Sequence, residues 1–297
     1  MKKEEWIAYD YCIAFIDLLG QREEYKNEGL LPIFTSDKER NDFNQKIKNT
    51  IGAILSLQRD AETMMETALT PSPERKQRIP PEHHDNYEKM LQTKIKHQRW
   101  SDGLVFFASM GDPDIKCPVL GLFELFVLAG SLCFIGLSRK QPIRGAIDIA
   151  WGMELYDGEL YGAAVAKSYE LESYVAQYPR IIISQRTIEF LEAHRQNMDN
   201  DIYSKCNSQF TEMCLDMIVE DSDGYFIIHY LGNSFREYIS KKIHEDIYKE
   251  AIQFVQSEYK KFRKKKNTKL AFRYSYLLSY FIAHPTSQSL KGLGEGV

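Results

Sequence analysis

The chain lacks the cysteine pattern of a disulfide scaffold or a zinc ribbon. Five cysteines occur among its 297 residues, an odd number, and no two of them form a Cys-x-x-Cys pair. Disulfide frameworks and structural zinc sites depend on paired or closely spaced cysteines. A reducing compartment therefore fits the sequence better, and we expect a cytoplasmic protein.

An excess of positive charge is also missing. Lys and Arg number 38 and Asp and Glu 42, so the formal net charge is −4. Proteins that bind nucleic acid or anionic membranes usually carry a basic excess. Residues 260–266 are strongly basic and could contact nucleic acid, but we interpret them as a solvated helix end, where cations complement the helix dipole. We expect no nucleic-acid partner.

Signals for secretion and membrane insertion are weak. Two acidic residues, Glu4 and Glu5, stand where a signal peptide would carry its apolar stretch. Residues 119–137 are long enough to cross a bilayer, but Glu124 near their centre would cost roughly 2.5–3.5 kcal/mol on an insertion scale. The flanking segments resemble strands of one sheet, which a membrane cannot separate. We therefore expect a helix buried on a sheet and no membrane partner.

Two common catalytic patterns are absent as well. No GxxxxGK[ST] loop occurs, which disfavours a P-loop ATPase. The seven histidines are scattered, and none stands beside a Ser or Cys in an apolar strand. Serine, cysteine and histidine catalysis therefore find little support.

The sequence does contain many apolar residues, and their pattern predicts strands that alternate with helices. Hydrophobic residues make up 43% and aromatic residues 12%, enough for a substantial core. The pattern predicts β, α, a β-hairpin, α, β, α, β, α, β, which indicates an α/β (α+β) fold, a mixed sheet with helices packed on it. We expect this domain over 8–232 with an insertion at about 68–95, then a helical appendage over 233–285 and a flexible tail over 286–297.

Individual elements follow from local patterns. Residues 11–20 read as a buried strand, 39–65 and 162–178 as helices, and 70–85 as a proline-rich loop. The Asp-Gly pair at 102–103, between two extended runs, is a strong hairpin signal. Further strands are predicted over 143–152, 179–184 and 225–231.

Two acidic residues stand out because each lies in an apolar strand context. Asp17 is inside the first strand, and Asp102 is in the hairpin, where a turn could explain it structurally. A buried carboxylate is costly unless it is paired or binds a metal. Two carboxylates on adjacent strands can hold two divalent cations about 3.5–4 Å apart for in-line attack at phosphorus.

Five motifs in order resemble those of class III nucleotidyl cyclases over about residues 8–232. The first is FIDLLG, beginning at Phe15, and the second is WSDG, beginning at Trp100. The third begins at Arg144 and reads RGAI with a glycine at 152, and the last two are GAAV at 162–165 and PRIIIS at 179–184. The second, third and fifth look most like the bacterial pyrimidine cyclases of Pycsar antiphage systems.

The resemblance implies an enzyme that makes 3′,5′-cyclic UMP from UTP by two-metal catalysis, with Mn²⁺ or Mg²⁺. It also implies a homodimer and a separate effector protein that senses the cyclic nucleotide, as part of antiphage defence. Three alternatives stay open: a cytidylate cyclase that makes cyclic CMP, a purine cyclase, and a degenerate domain that binds nucleotide without turnover.

The resemblance also implies residue roles around the first strand. Asp17 and Asp102 would ligate both metals, and the carbonyl of Leu18 would add a ligand to one. Backbone amides of residues 18–22, including Leu19 and Gly20, would bind the triphosphate, and Phe15 would lie under the nucleotide.

One feature departs from the family pattern. Purine cyclases carry an Asn and, four residues later, an Arg in one helix, and an alignment at Val165 puts Ala166 and Glu170 at those positions. Lys167 is our candidate for the missing charge, and Arg144 and Arg22 are others.

Base recognition is expected on the strand before the hairpin aspartate. Arg99, beside the bulky Trp100, resembles the pyrimidine branch and offers donors only, which favours uracil. Strand parity instead puts Gln98 on the face of Asp102.

Overall fold

The computed structural model describes residues 6–20, 29–67, 77, 79–100, 103–196, 201–238 and 241–285. Eight strands lie in these ranges. They are β1 (Tyr9–Leu18), β2 (Lys96–Trp100), β3 (Gly103–Ser109), β4 (Ile143–Tyr156), β5 (Glu159–Tyr161), β6 (Ile181–Ile183), β7 (Ile218–Glu220) and β8 (Phe226–Ile228).

Nine α-helices lie in the same ranges. They are α1 (Asp37–Thr67), α2 (His84–Met90), α3 (Pro118–Ser138), α4 (Ala163–Glu170), α5 (Gln185–Arg195), α6 (Ile202–Leu215), α7 (Asn233–Tyr238), α8 (Lys241–Lys264) and α9 (Thr268–Ala283). A 3₁₀ turn, Pro81–His83, precedes α2, and a π-helical turn, Leu171–Val175, continues α4.

The strands form one mixed sheet in the order β2-β3-β1-β4-β6-β8-β7, with β5 paired to β4. β1 is the central apolar strand and is antiparallel to both neighbours, β3 and β4. β4 runs parallel to β6, which the connection through α4 allows. The predicted fold class, a mixed sheet with helices packed on it, is confirmed.

The two faces of the sheet are covered unequally. Alternate residues of β1, from Cys12 to Leu18, point to the face that we call the core face, where helices α1, α3, α8 and α9 bury most of the apolar side chains. The residues between them, every second one from Tyr11 to Asp17, point to the other face, which we call the site face. There α4 and the π-helical turn provide a much smaller apolar cover.

Helix α3 is the buried helix that the sequence predicts. It is apolar around its whole circumference, and 78% of its most apolar window is buried inside the protein. Such a helix is long enough to cross a membrane, but it lies here on the sheet and against α8. Burial raises the pKa of Glu124, its one charged residue, to about 8.

The segment predicted as a proline-rich loop is partly helical, so that prediction is wrong at its end. Pro81 stands at the first position of the 3₁₀ turn that leads into α2. Proline is well tolerated there because the first amide of a helix has no intrahelical acceptor. Residues 68–76 of the expected insertion lie outside the described residues.

Two further differences concern the second half of the chain. The helix expected over 162–178 is α-helical only to Glu170 and ends in the π-helical turn. Helix α6 and strand β7 were not predicted, although Asp201 is a strong helix-start signal and accepts hydrogen bonds from the amides of Tyr203 and Ser204.

The C-terminal helices α8 and α9 join the main core. Ala251, Val255 and Phe281 are buried in it, and the Tyr248 hydroxyl donates to the Phe281 carbonyl at 2.8 Å. The division at residue 232 stays a prediction, and the expected tail over 286–297 lies outside the described residues.

Candidate functional site

The register of β1 places Asp17 between two neighbouring strands on the site face. Its Cα partner on β3 is Gly103, and its partner on β4 is Arg144. Gly103 follows Asp102 in the sequence, and Asp102 itself lies outside the described residues. A Cβ atom at Gly103 would lie 2.9 Å from the carbonyl oxygen of Ile16, so glycine permits this close approach of β3 to β1.

Asp17 is one of three charged residues that meet near the end of β1. Arg144 Nη2 lies 3.4 Å from Asp17 Oδ2, and Arg144 Nε lies 2.6 Å from Glu172 Oε1. Asp17 is 13% exposed and Glu172 only 2%. The contact with Glu172 is the closer of the two ion pairs, and Arg144 Nη1 also donates to the carbonyl oxygen of Ala176 at 3.4 Å.

Asp148 shows what a structural carboxylate in the same sheet looks like. It also points to the site face, from β4, and it is completely buried. It pairs with Arg186 and accepts the amide of Ile149 at 2.8 Å. Asp17 differs because its side chain is 13% exposed, and the arginine that faces it, Arg144, lies 3.4 Å from its Oδ2.

An aromatic group lies beside Asp17. The ring of Phe15 is buried, and its centroid is 5.8 Å from the ring of Trp100 and 5.5 Å from the ring of Tyr169, both edge-to-face. Trp100 and Tyr169 remain about two-fifths exposed. The expected nucleotide contact of Phe15 would therefore involve the two outer rings as well.

The residues expected to bind triphosphate line a groove at the end of β1. The groove has a volume of about 650 Å³ and includes Leu18, Leu19, Lys46 and Lys140 in its walls. Gly20 has a φ of +95°, which glycine adopts readily. Arg22 and the rest of residues 21–28 lie outside the described residues.

The side chains of β2, the strand expected to contact the base, alternate between the two faces of the sheet. Gln98 pairs with Val105 on the site face, whereas Arg99 pairs with Leu104, whose side chain belongs to the core face. Trp100, on the same side as Gln98, contacts Phe15. The geometry therefore places Gln98 and Trp100 on the side of Asp17 and does not bring Arg99 to it.

Lys167 lies elsewhere on the same side of the protein. It is exposed on α4 and lines a groove of about 540 Å³ with Arg186 and Tyr225, a groove to which Asp17 does not contribute. Ala166 and Glu170, which align with the Asn and Arg of purine cyclases, are exposed on the same helix. None of these three residues lines the groove beside Leu18 and Leu19.

The donor chemistry of Asp17 fits a hard divalent cation, because carboxylate oxygens are preferred ligands of Mg²⁺ and Mn²⁺. Over the described ranges, which omit Asp102, no group of three or more His, Cys, Asp or Glu residues could hold a metal. A metal site at Asp17 would therefore need Asp102, and the second aspartate is the decisive residue.

Glu172 was missed by sequence reasoning although it holds Arg144. Its helical segment looks amphipathic, and a glutamate in it reads as a solvated residue. Glu172 lies in the π-helical turn and is its buried residue. No local sequence signal for this turn is evident.

Comparisons with known proteins do not identify a family for this chain. No family model matches the chain, and no curated protein matches it significantly. Among solved structures, the adenylyl cyclase CyaB from P. aeruginosa matches 64% of this chain and 83% of that chain, at 13% identity and a TM-score of 0.33. This likeness is too slight to support a fold family or an activity, so the case for function rests on the residues themselves.

Proposed function

We propose that the protein is a nucleotidyl cyclase that converts UTP to 3′,5′-cyclic UMP and pyrophosphate as a homodimer. The observation that carries the proposal is the register of β1 and β3. It pairs Asp17 with Gly103 at the end of β1, and Gly103 directly follows Asp102 in the sequence, which supports a site that the two aspartates would share.

The chain's own residues divide the work as follows. Asp17 and Asp102 would hold two divalent cations, Mn²⁺ or Mg²⁺, with the carbonyl of Leu18 as a further ligand. The bound cations would activate the ribose 3′-hydroxyl and stabilise charge on the α-phosphate and leaving pyrophosphate. Arg144 balances the charge of Asp17 before ligand enters, and Glu172 keeps that arginine in place.

The substrate would extend from the site face around the end of β1. Its triphosphate would occupy the groove beside Leu18 and Leu19, which α1 borders and where Lys46 and Lys140 supply positive charge close to Asp42. Its base would lie near the rings of Phe15 and Trp100. A large ring at Trp100 limits the length of the base pocket, which favours a pyrimidine over a purine.

The test is an incubation of the full chain with equal concentrations of UTP, CTP, ATP and GTP and with Mn²⁺, followed by mass analysis of cyclic products. We expect cyclic UMP to dominate. Cyclic CMP as the main product would move the assignment to a cytidylate cyclase. Cyclic AMP or cyclic GMP as the main product would overturn the pyrimidine assignment. Nucleotide binding without any cyclic product would overturn the proposal that the protein is an enzyme.

A further inference from the structure

Two cysteine thiols that are distant in sequence meet at the start of α3. Cys117 Sγ and Cys206 Sγ are 3.5 Å apart, although the residues are 89 positions apart in the chain. Cys117 is the N-cap residue of α3, and Cys206 lies in the second turn of α6. Both are free thiols. The two sulfurs are in van der Waals contact, and a further approach of about 1.5 Å would give the bond length of a disulfide.

The neighbouring residue Asn207 fixes this meeting point. Its side-chain nitrogen Nδ2 donates to the backbone carbonyl of Lys116 at 3.2 Å, and its side-chain oxygen Oδ1 accepts from the backbone amide of Val119 at 3.2 Å. These hydrogen bonds bracket Cys117 on both sides. Because they join α6 to the backbone around Cys117, they hold Cys206 in register with its partner sulfur.

The two sulfurs are not equivalent. Cys117 is completely buried, whereas Cys206 keeps 8% of its surface exposed. The Cys117 thiol donates a hydrogen bond to Cys206, which lowers the pKa of Cys206 and raises that of Cys117. A thiolate is the nucleophile in disulfide exchange. Cys206 is thus suited to attack an external disulfide first. Cys117 is then suited to attack the mixed disulfide that forms on Cys206.

The other three cysteines lack these features. Cys12, Cys133 and Cys214 are buried, and burial raises the pKa of each thiol. Cys12 donates to the carbonyl of Ala108 rather than to a sulfur. They provide matched comparisons within the same chain.

We propose that Cys117 and Cys206 form a redox-responsive pair that a small disulfide of the glutathione class oxidises to a protein disulfide. The Cys206 thiolate attacks one sulfur of the small disulfide and displaces one small thiolate, which leaves a mixed disulfide on Cys206. Cys117 then gives up its proton and attacks Cys206 Sγ, which displaces the second small thiolate. The protein loses two electrons and two protons, and the small disulfide gains both and ends as two thiols.

The new bond would tie the start of α3 to α6. Such pairs are reversible in a reducing compartment, where disulfides, when they form, are usually transient or redox-sensing. The proposal is independent of the nucleotide chemistry, because neither cysteine lies on the site face of the sheet.

The test counts thiols. The native full chain is equilibrated with oxidised and reduced glutathione at graded ratios, quenched with acid, unfolded and alkylated, and its mass is measured. We expect the free thiols to fall from five to three as the oxidised form increases. A peptide map without reduction should show the Cys117 peptide linked to the Cys206 peptide.

Three variants separate the steps. Cys117→Ala should stop at a single glutathione adduct on Cys206, and Cys206→Ala should keep all four of its remaining thiols. Cys133→Ala, the matched control, should still form the Cys117–Cys206 bond. Five free thiols in wild type under the most oxidising ratio would overturn the proposal, as would a link or adduct that involves another cysteine.

Discussion

Arg144 and Glu172 form a nearly buried ion pair beside the candidate catalytic carboxylate. Nε and Oε1 are 2.6 Å apart, and the arginine spans from Glu172 to Asp17. Buried charges are tolerated when each has a partner, and removal of one partner leaves the other uncompensated. Glu172 is therefore a positioning residue, because it acts on Asp17 only through Arg144.

Replacement of Glu172 by Gln should destabilise the protein by about 2 kcal/mol. This is less than the roughly 3–5 kcal/mol for a fully orphaned buried charge, because Arg144 keeps its contact with Asp17. Urea denaturation measures the effect. Glu170→Gln, at an exposed position of α4, is the matched control and should leave the midpoint unchanged. Equal midpoints for both variants would contradict the role of Glu172.

Asp17→Asn should abolish turnover while the fold is retained. The change keeps the size of the side chain but removes the charge that would hold a divalent cation. We expect a rate loss of about 10³-fold or more, which corresponds to about 4 kcal/mol of barrier. Asp10→Asn, at an exposed position of the same strand, should keep wild-type turnover. Near-normal product formation by folded Asp17→Asn would end the metal assignment.

Mixed dimers should recover activity from two inactive variants. Lys167 is exposed on α4 and lines a groove with Arg186 and Tyr225, and the proposed dimer would bring it to the Asp17 site of the second subunit. We expect Asp17→Asn and Lys167→Ala each to be inactive and their mixture to regain part of the activity. An active monomer in sedimentation, or verified mixed dimers without activity, would refute the shared site.

Base choice should depend on Gln98 rather than on Arg99. The Gln98 carbonyl oxygen accepts the amide of Leu160 at 3.2 Å, which orients its NH₂ group as a donor, and uracil O4 accepts where cytosine carries an amino group. Loss of one hydrogen bond costs about 0.5–1.5 kcal/mol, so Gln98→Ala should lower the ratio of UTP to CTP products about 2- to 13-fold. Competition assays measure the ratio. Arg99→Ala, on the other face of the strand, is the control and should leave the product ratio unchanged. A change of the ratio in Arg99→Ala but not in Gln98→Ala would assign base recognition to Arg99.

Stability should decrease as the pH rises because of Glu124. Burial raises its pKa to about 8 in the folded protein, from about 4.5. Between these values the folded state holds a proton that the unfolded chain releases, so the free energy of unfolding falls with rising pH, by at most about 1.4 kcal/mol per pH unit. Glu124→Gln should remove this slope. Exposed Glu82→Gln should retain it, and identical pH profiles for wild type and Glu124→Gln would disprove the effect.

The sequence predicts the parts of the site that depend on local pattern. The apolar run around Asp17 gives β1, and the hairpin predicted from the Asp-Gly pair is formed by β2 and β3, whose pairing includes Trp100 with Gly103. The contact between Arg144 and Glu172 could not be foreseen, because it depends on a π-helical turn and on how β4 packs beneath it. By contrast, strand parity already separates Gln98 from Arg99, and the pairing of β2 with β3 puts Gln98 opposite Val105 on the site face.

The unequal cover of the two sheet faces separates the residues that keep the chain folded from those that would select a ligand. Helices α1, α3, α8 and α9 bury most of the apolar surface on the core face. The side chains of Gln98, Trp100 and Tyr169 lie on the other face and are partly exposed. Exposed positions tolerate most substitutions at little cost in stability. A protein with this arrangement can diversify its specificity through single substitutions while its ability to fold is preserved.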